Sequence, residues 1–164
     1  MPQVTIRPAL PTDVETILRF IKGLAEFEHE PDAVKTTPAD LLRDGFGEHP
    51  KFEVLIAELD STPVGFALFF HTYSTWEGRP GLYLEDIFVV EPARGAGVGH
   101  KLMAALAAIA VARGCARLEL AVLHWNPARE FYHRLGMAHM DQWLPYRLTG
   151  NALHALAAEA EEWE

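Results

Sequence analysis

The segment from residue 82 to residue 112 limits what this chain can fold into more than any other. Leu82-Tyr83-Leu84-Glu85-Asp86-Ile87-Phe88-Val89-Val90 reads as a mostly apolar strand. Arg94-Gly95-Ala96-Gly97-Val98-Gly99 follows, and then a long apolar helix that closes near Arg113-Gly114. Glycines at alternate positions allow positive φ and let a ligand approach the backbone. The free N–H groups of the helix's first turn point one way, and the helix dipole adds to their field. Strand, glycine turn and helix together make an anion site suited to a pyrophosphate. Arg94 adds a guanidinium for phosphate oxygens. Two familiar phosphate loops are excluded. Gly99-His100-Lys101-Leu102 lacks the Gly-Lys-Ser/Thr ending of a Walker A loop, and His100 stands where the last glycine of GxGxxG belongs. The plain alternative is a turn that only packs a helix tightly.

The remaining pattern places this segment inside one domain spanning residues 1–164. A first strand over 4–7 is stopped by Pro8, and Thr12 with Glu15 reads as a capping box opening a helix. Val14, Ile17, Leu18, Ile21 and Leu24 give that helix one apolar stripe. Thr37-Pro38 is a cap followed by proline at the first helical position, and Gly45 and Gly47 end the short helix. Strands are expected over 52–59 and 64–70, then over 117–123. A helix over 127–135 and strands over 137–140 and 143–148 follow, with a last helix capped by Asn151. Alternation of strand and helix after residue 82 predicts a parallel pair joined by a crossover helix, hence a mixed α/β (α+β) fold.

Composition removes several classes of function. Lys and Arg number 14 against 23 Asp and Glu, a net charge of −9, so a phosphate backbone is a poor partner and no nucleic acid is expected. Part of that charge (Glu159, Glu161, Glu162 and Glu164) reads as a solvated tail. The longest strongly apolar run, 102–112, is too short for a membrane span, which needs about 20 residues. The N-terminus has no signal-peptide pattern. One cysteine, Cys115, cannot form an intrachain disulfide and fits a reducing, cytoplasmic setting. Eight histidines show no ligand spacing, so no metal is expected.

Arg94-Gly95-Ala96-Gly97-Val98-Gly99 resembles the acyl-CoA pyrophosphate loop of the GNAT N-acetyltransferases. Asp44-Gly45-Phe46-Gly47-Glu48-His49-Pro50, Leu82-Tyr83-Leu84-Glu85-Asp86, Trp125-Asn126 and Phe131-Tyr132 resemble its diamine (spermidine/spermine) N-acetyltransferase branch, which includes thialysine acetyltransferases. The resemblance covers nearly the whole chain. It implies a sheet of about seven strands, splayed between its middle parallel strands and flanked by helices. It implies acetyl-CoA in the splay, with Arg94, Gly95, Ala96, Gly97, Val98 and Gly99 on the pyrophosphate. Asn126 would hold the cofactor arm, and the backbone of Ile87, Phe88 and Val89 the thioester oxygen. It also implies a homodimer.

Acetyl transfer to an amine must deprotonate an ammonium of pKa ~10.4 and polarise a thioester carbonyl, and a departing thiolate gains from a proton donor. Glu85, in an otherwise apolar strand, matches the family's general base acting through water. Its plain alternative is a solvent-facing strand residue. Neighbours in a strand face opposite ways, so Glu85 and Asp86 share a site only if the strand bulges; Asp86 is a candidate substrate contact. Tyr132 matches the family's general acid and cofactor contact, its phenol (pKa ~10) being protonated at neutral pH. Its alternative is a core aromatic, and that of Asn126 a helix cap before Pro127. Cys115 has no paired base nearby in sequence, so direct attack is expected rather than an acetyl-cysteine.

Glu28 and Trp76 match family positions at the amine cleft, where Trp76 offers cation–π contact. Glu26 adds charge nearby. Ser74 stands where the polyamine enzymes carry an acid, and 140–146 departs from their pattern. Both differences shift the expectation toward a substrate with one amine and a carboxylate, such as thialysine or lysine, or toward a short diamine. A protein lysine or N-terminal acetyltransferase and a non-catalytic acyl-CoA-binding regulator are the competing classes. Glu85 and Tyr132 argue against the regulator, which needs neither.

Overall fold

The computed structural model describes residues 3–160, so Glu161, Glu162 and Glu164 of the acidic tail lie outside the described residues. The chain divides into two compact units, Met1–Asn126 and Pro127–Glu164.

The first unit is built on one sheet of order β1-β2-β3-β4-β5, comprising β1 (Val4–Pro8), β2 (Glu53–Leu59), β3 (Thr62–Ser74), β4 (Arg79–Val89) and β5 (Leu118–Leu120). The first four strands are antiparallel neighbours, and β5 runs parallel to β4. Strand alternation sorts the side chains between two faces. Val54, Ile56, Phe66 and Leu68 form one core with Ile17, Leu18 and Phe20 of α1 (Val14–Phe27) and Leu41 of α2 (Pro38–Phe46). α3 (Val98–Ala112) buries Val98, Leu102, Met103, Leu106 and Ala110 at helical spacing. It is the crossover that parallel neighbours require.

Two local devices set the helices over the sheet. Gly23 of α1 lies against Phe88 of β4 so closely that an added Cβ would stand 2.7 Å from the ring. Arg113, just past α3, is clasped by Glu53 of β2 through two bonds of 2.6 and 2.8 Å.

Helix starts are partly as expected. Thr37 and Asp40 form a reciprocal capping box before α2. The first helix differs: Pro11–Asp13 is a 3₁₀ turn, and Asp13 stands at the cap of α1 in place of Thr12. The Asp13 carboxylate accepts the Leu10 N–H at 2.7 Å and pairs with Arg7 at 2.8 Å.

The second unit carries α4 (Ala128–Arg134) and α5 (Gly150–Ala157), the latter starting at Gly150, one residue before the expected cap. Residues 137–140 and 143–148 are turn or irregular chain, which corrects the expectation of two more strands there. Among the described residues the sheet therefore has five strands rather than about seven. Pro145 removes a ladder donor from the middle of the second stretch. The strand expected over 117–123 pairs only at Leu118–Leu120.

Candidate functional site

The site begins with a fault in the β3–β4 ladder. Leu68 pairs with Asp86, but Phe69 pairs with Leu84, so Glu85 is an extra residue with no partner on β3. Such a bulge breaks the period-two alternation. Consequently Glu85 and Asp86 line the same cavity, the condition the sequence left open. The cavity has a volume of about 530 Å³, within the range of small-molecule sites. Ile21, Leu41, Phe52 and Leu68 supply its apolar wall.

The two carboxylates differ in setting. Glu85 is exposed, whereas Asp86 is half-buried. Burial, and then the charges of Glu85 and Glu28, push the Asp86 carboxyl up to about 6. Glu28 caps α1 at its C-terminal end, and its own carboxyl is raised by burial. Tyr83, two residues before Glu85, stacks on Phe70 at 5.3 Å, and its phenol is raised by burial and by the charges of Glu85 and Glu119. A carboxylate whose pKa approaches neutrality suits proton transfer or an ammonium partner.

The second part of the site starts where the first ends. β5 pairs with β4 at Leu82, Tyr83 and Leu84 only. From Glu85 to Val89, including Ile87 and Phe88, the β5 side of β4 has no ladder partner among the described residues. The middle parallel strands therefore part at the bulge. A 3₁₀ turn over Glu91–Ala93 then leads into the glycine turn.

Gly95 and Gly97 take φ of +91° and +78°, a region that L side chains rarely adopt. No atom lies within 4 Å of where a Cβ would stand at either. The N–H groups of Val98, Gly99 and His100 precede the first helical bond, from the Lys101 N–H to the Gly97 carbonyl at 3.1 Å. Arg94 is braced beside them. Its Nε donates to the Val89 carbonyl at 2.9 Å, and its guanidinium lies over the rings of Phe27 and Phe88 at 5.5 and 5.7 Å. Its Nη groups make no hydrogen bond among the described residues. Open space, unbonded amides and a braced cation fit a diphosphate group.

The other expected residues fall as follows. Asn126 is buried, its N–H donates to the Leu123 carbonyl at 3.0 Å, and the cap position of α4 is held by Pro127. Trp125 lies beside His29 and Phe27, with ring centroids 4.9 and 6.4 Å away. Tyr132 sits on α4 in the second unit, buried, with its ring 5.5 Å from that of Phe131. Trp76, Glu26 and Glu28 are not among the residues lining the cavity: Trp76 and Glu26 are exposed, with Trp76 in the β3–β4 turn, and Glu28 is half-buried and acts on Asp86 through its charge. Ser74 accepts hydrogen bonds from the Glu77 N–H and from Arg117. Among the described residues no group of three His, Cys, Asp or Glu side chains could hold a metal, and no helix is long and apolar enough to cross a membrane.

Sequence reasoning missed the charged wall formed by Lys35, just before α2, and by Asp40, Arg43 and Asp44 of α2. The Thr37-Pro38 cap locates the start of α2, but which face meets the cavity depends on packing against α1.

The sequence model of the acetyltransferase (GNAT) family matches residues 18–137. A thialysine N-epsilon-acetyltransferase of Bos taurus is 41% identical, over 95% of this chain and 98% of its own. A spermidine/spermine N(1)-acetyltransferase-like protein 1 of Homo sapiens is 38% identical over 94% of this chain and 24% of its own. Among solved structures, an integron cassette protein from the mobile metagenome of V. cholerae superposes with a TM-score of 0.78 at 29% identity, covering 94% of this chain and 97% of that one.

Proposed function

This chain belongs to the acetyltransferase (GNAT) family, and on that premise we propose that it moves the acetyl group of acetyl-CoA to a primary amine of a small cationic substrate, by direct attack while both substrates are bound. The observation that carries this reading is the bulge at Glu85, which turns two carboxylates into one cavity at the point where β4 loses its β5 neighbour.

Acetyl-CoA supplies the activated acyl carbon. The chain's own residues do the rest. The amides of Val98, Gly99 and His100, with Arg94, hold the diphosphate. The unpaired backbone of β4 over Ile87–Val89 orients the thioester. Asp86 and Glu28 draw the substrate ammonium into the cavity. Glu85 accepts the ammonium proton through water, leaving the nitrogen lone pair free. As nitrogen bonds to the acyl carbon, the carbon–sulfur bond breaks, the Tyr132 Oη–H protonates the sulfur, and the second proton released by the acylated nitrogen passes through water to restore the tyrosine hydroxyl. Asn126 orients the cofactor arm.

Thialysine, lysine or a short diamine fits best, since Ser74 is engaged by Arg117 rather than turned into the cavity. We also propose a cytoplasmic homodimer. Apolar side chains exposed on the second unit (Trp143 66%, Leu144 71%, Tyr146 94%) support a partner surface there.

Thiol release from acetyl-CoA, measured with a panel of diamines, polyamines, basic amino acids and peptides, tests the reading. Release with small amines is expected. Release only with peptides would make the protein a protein acetyltransferase, and tight CoA binding without release would make it a regulator.

A further inference from the structure

The cavity that holds Glu85 and Asp86 is not uniformly acidic. Lys35, Thr36, Asp40, Arg43 and Asp44 also line it. Arg43 is committed there, donating to Asp40 at 3.1 Å and to Asp44 at 2.8 and 3.1 Å, so that this one cation offsets one of the two anions. Lys35 has no such partner. Its ammonium is exposed and forms no ion pair among the described residues.

The backbone around Lys35 is fixed on both sides. Val34 packs against the core cluster, and Thr37 closes the capping box with Asp40. A cation with no ion-pair partner is thus presented from an anchored segment, on the wall of a cavity that also holds the Asp40–Arg43–Asp44 group and the carboxylates of Glu85 and Asp86. Glu85 and Asp86 lie beyond 4 Å of it, since neither pairs with it. The cavity is therefore bipolar. An extended six-carbon amino acid spans roughly 7 Å from terminal nitrogen to carboxylate carbon, and a cavity of this volume is wide enough to contain it.

We propose that Lys35 reads the carboxylate of the amine substrate, and so directs this acetyltransferase toward amino acids with a terminal amine and away from diamines of the same length. The inference rests on the reading of Glu85 and Asp86 as the amine site. With the substrate ammonium on that pair, its carboxylate reaches Lys35, and the Thr36 hydroxyl lies on the same wall. A diamine in the same pose sets a second ammonium against Lys35. One residue thus attracts the first substrate and repels the second, which is how a modest exposed charge yields selectivity. Attraction and repulsion of this kind together are worth about tenfold in the specificity ratio.

The test compares thialysine with bis(2-aminoethyl) sulfide, the same molecule without its carboxylate. kcat/KM for each is measured by thiol release at saturating acetyl-CoA, using the full chain and its Lys35→Met, Lys35→Glu and Lys35→Arg variants. The wild type is expected to favour thialysine. Lys35→Met should lower the thialysine-to-diamine ratio about tenfold, with thialysine KM rising and diamine KM falling. Lys35→Glu should lower the ratio further, Lys35→Arg should keep it, and added salt should shrink the differences. A ratio equal in all four proteins, or equal losses for both substrates, overturns the role of Lys35 alone. Failure of the wild type to acetylate either amine overturns the amine-site reading and this inference with it.

Discussion

Replacing Asp86 by asparagine should stabilise the protein while disabling its amine site, and the gain should grow with pH. Burial, followed by the charges of Glu85 and Glu28, raises the Asp86 carboxyl from 3.8 to about 6. In the unfolded chain that group returns to its ordinary range. Between those two values the folded protein holds a proton that the unfolded chain has lost. Stability therefore falls as pH rises through this window, and the loss is complete above about 6. At about 1.36 kcal/mol per pH unit, the displacement amounts to about 3 kcal/mol. Asparagine has nearly the same shape and no charge, so it escapes this loss. The variant should match the wild type near pH 4 and exceed it by up to about 3 kcal/mol at pH 7.5, or roughly 6–12 °C in Tm. Urea unfolding followed by tryptophan fluorescence, run on both proteins from pH 4 to pH 8, measures this. Other titrating groups cancel in the difference. A difference that stays flat with pH, or a variant less stable at pH 7.5, would refute the reasoning. Lost acetylation alongside the gain would locate a stability cost at the amine site.

Tyr132→Phe should lower kcat by about 10²-fold or more with little change in CoA affinity, as for removal of a general acid; steady-state kinetics with calorimetry separates the two, and unchanged turnover would remove Tyr132 from the mechanism. Glu85→Gln should lose most activity below the pKa of the substrate amine and recover in part at high pH, where free amine is abundant; a pH-independent loss in the rate profile would argue for a binding role instead. Gly97→Ala should weaken CoA binding and lower stability by about 1–2 kcal/mol, because Gly97 holds φ of +78°; calorimetry and thermal melts read the two effects.

Much of the fold is legible locally. The Thr37-Pro38 cap, the apolar stripe of α1 and the strand–glycine–helix order from 82 to 112 each arise from neighbours in sequence. The bulge at Glu85 does not, because it is a register event between β4 and β3 and depends on which residue of β4 faces Leu68. Adjacent carboxylates could be read from the chain, but their common cavity could not. The same holds for Lys35, which shares a cavity with Glu85 and Asp86 only through the packing of the segment before α2. At the C-terminal end, apolar residues over 143–148 look strand-like, yet they join no ladder among the described residues. Asp13 displaced Thr12 as the cap because Pro11 opened a tighter turn and Arg7 drew the carboxylate.

A margin of strand β4 that has no ladder neighbour past Leu84 among the described residues is a template as well as the proposed seat of the thioester. Any molecule that repeats amide donors and acceptors at backbone spacing can latch onto it, another polypeptide included. Concentrated protein stored without ligand is thus exposed to edge-to-edge association, and on the proposed seating of the cofactor saturating CoA should protect it. The same margin offers inhibitor chemistry a foothold, because short peptide-like amides can occupy it without reaching the carboxylates.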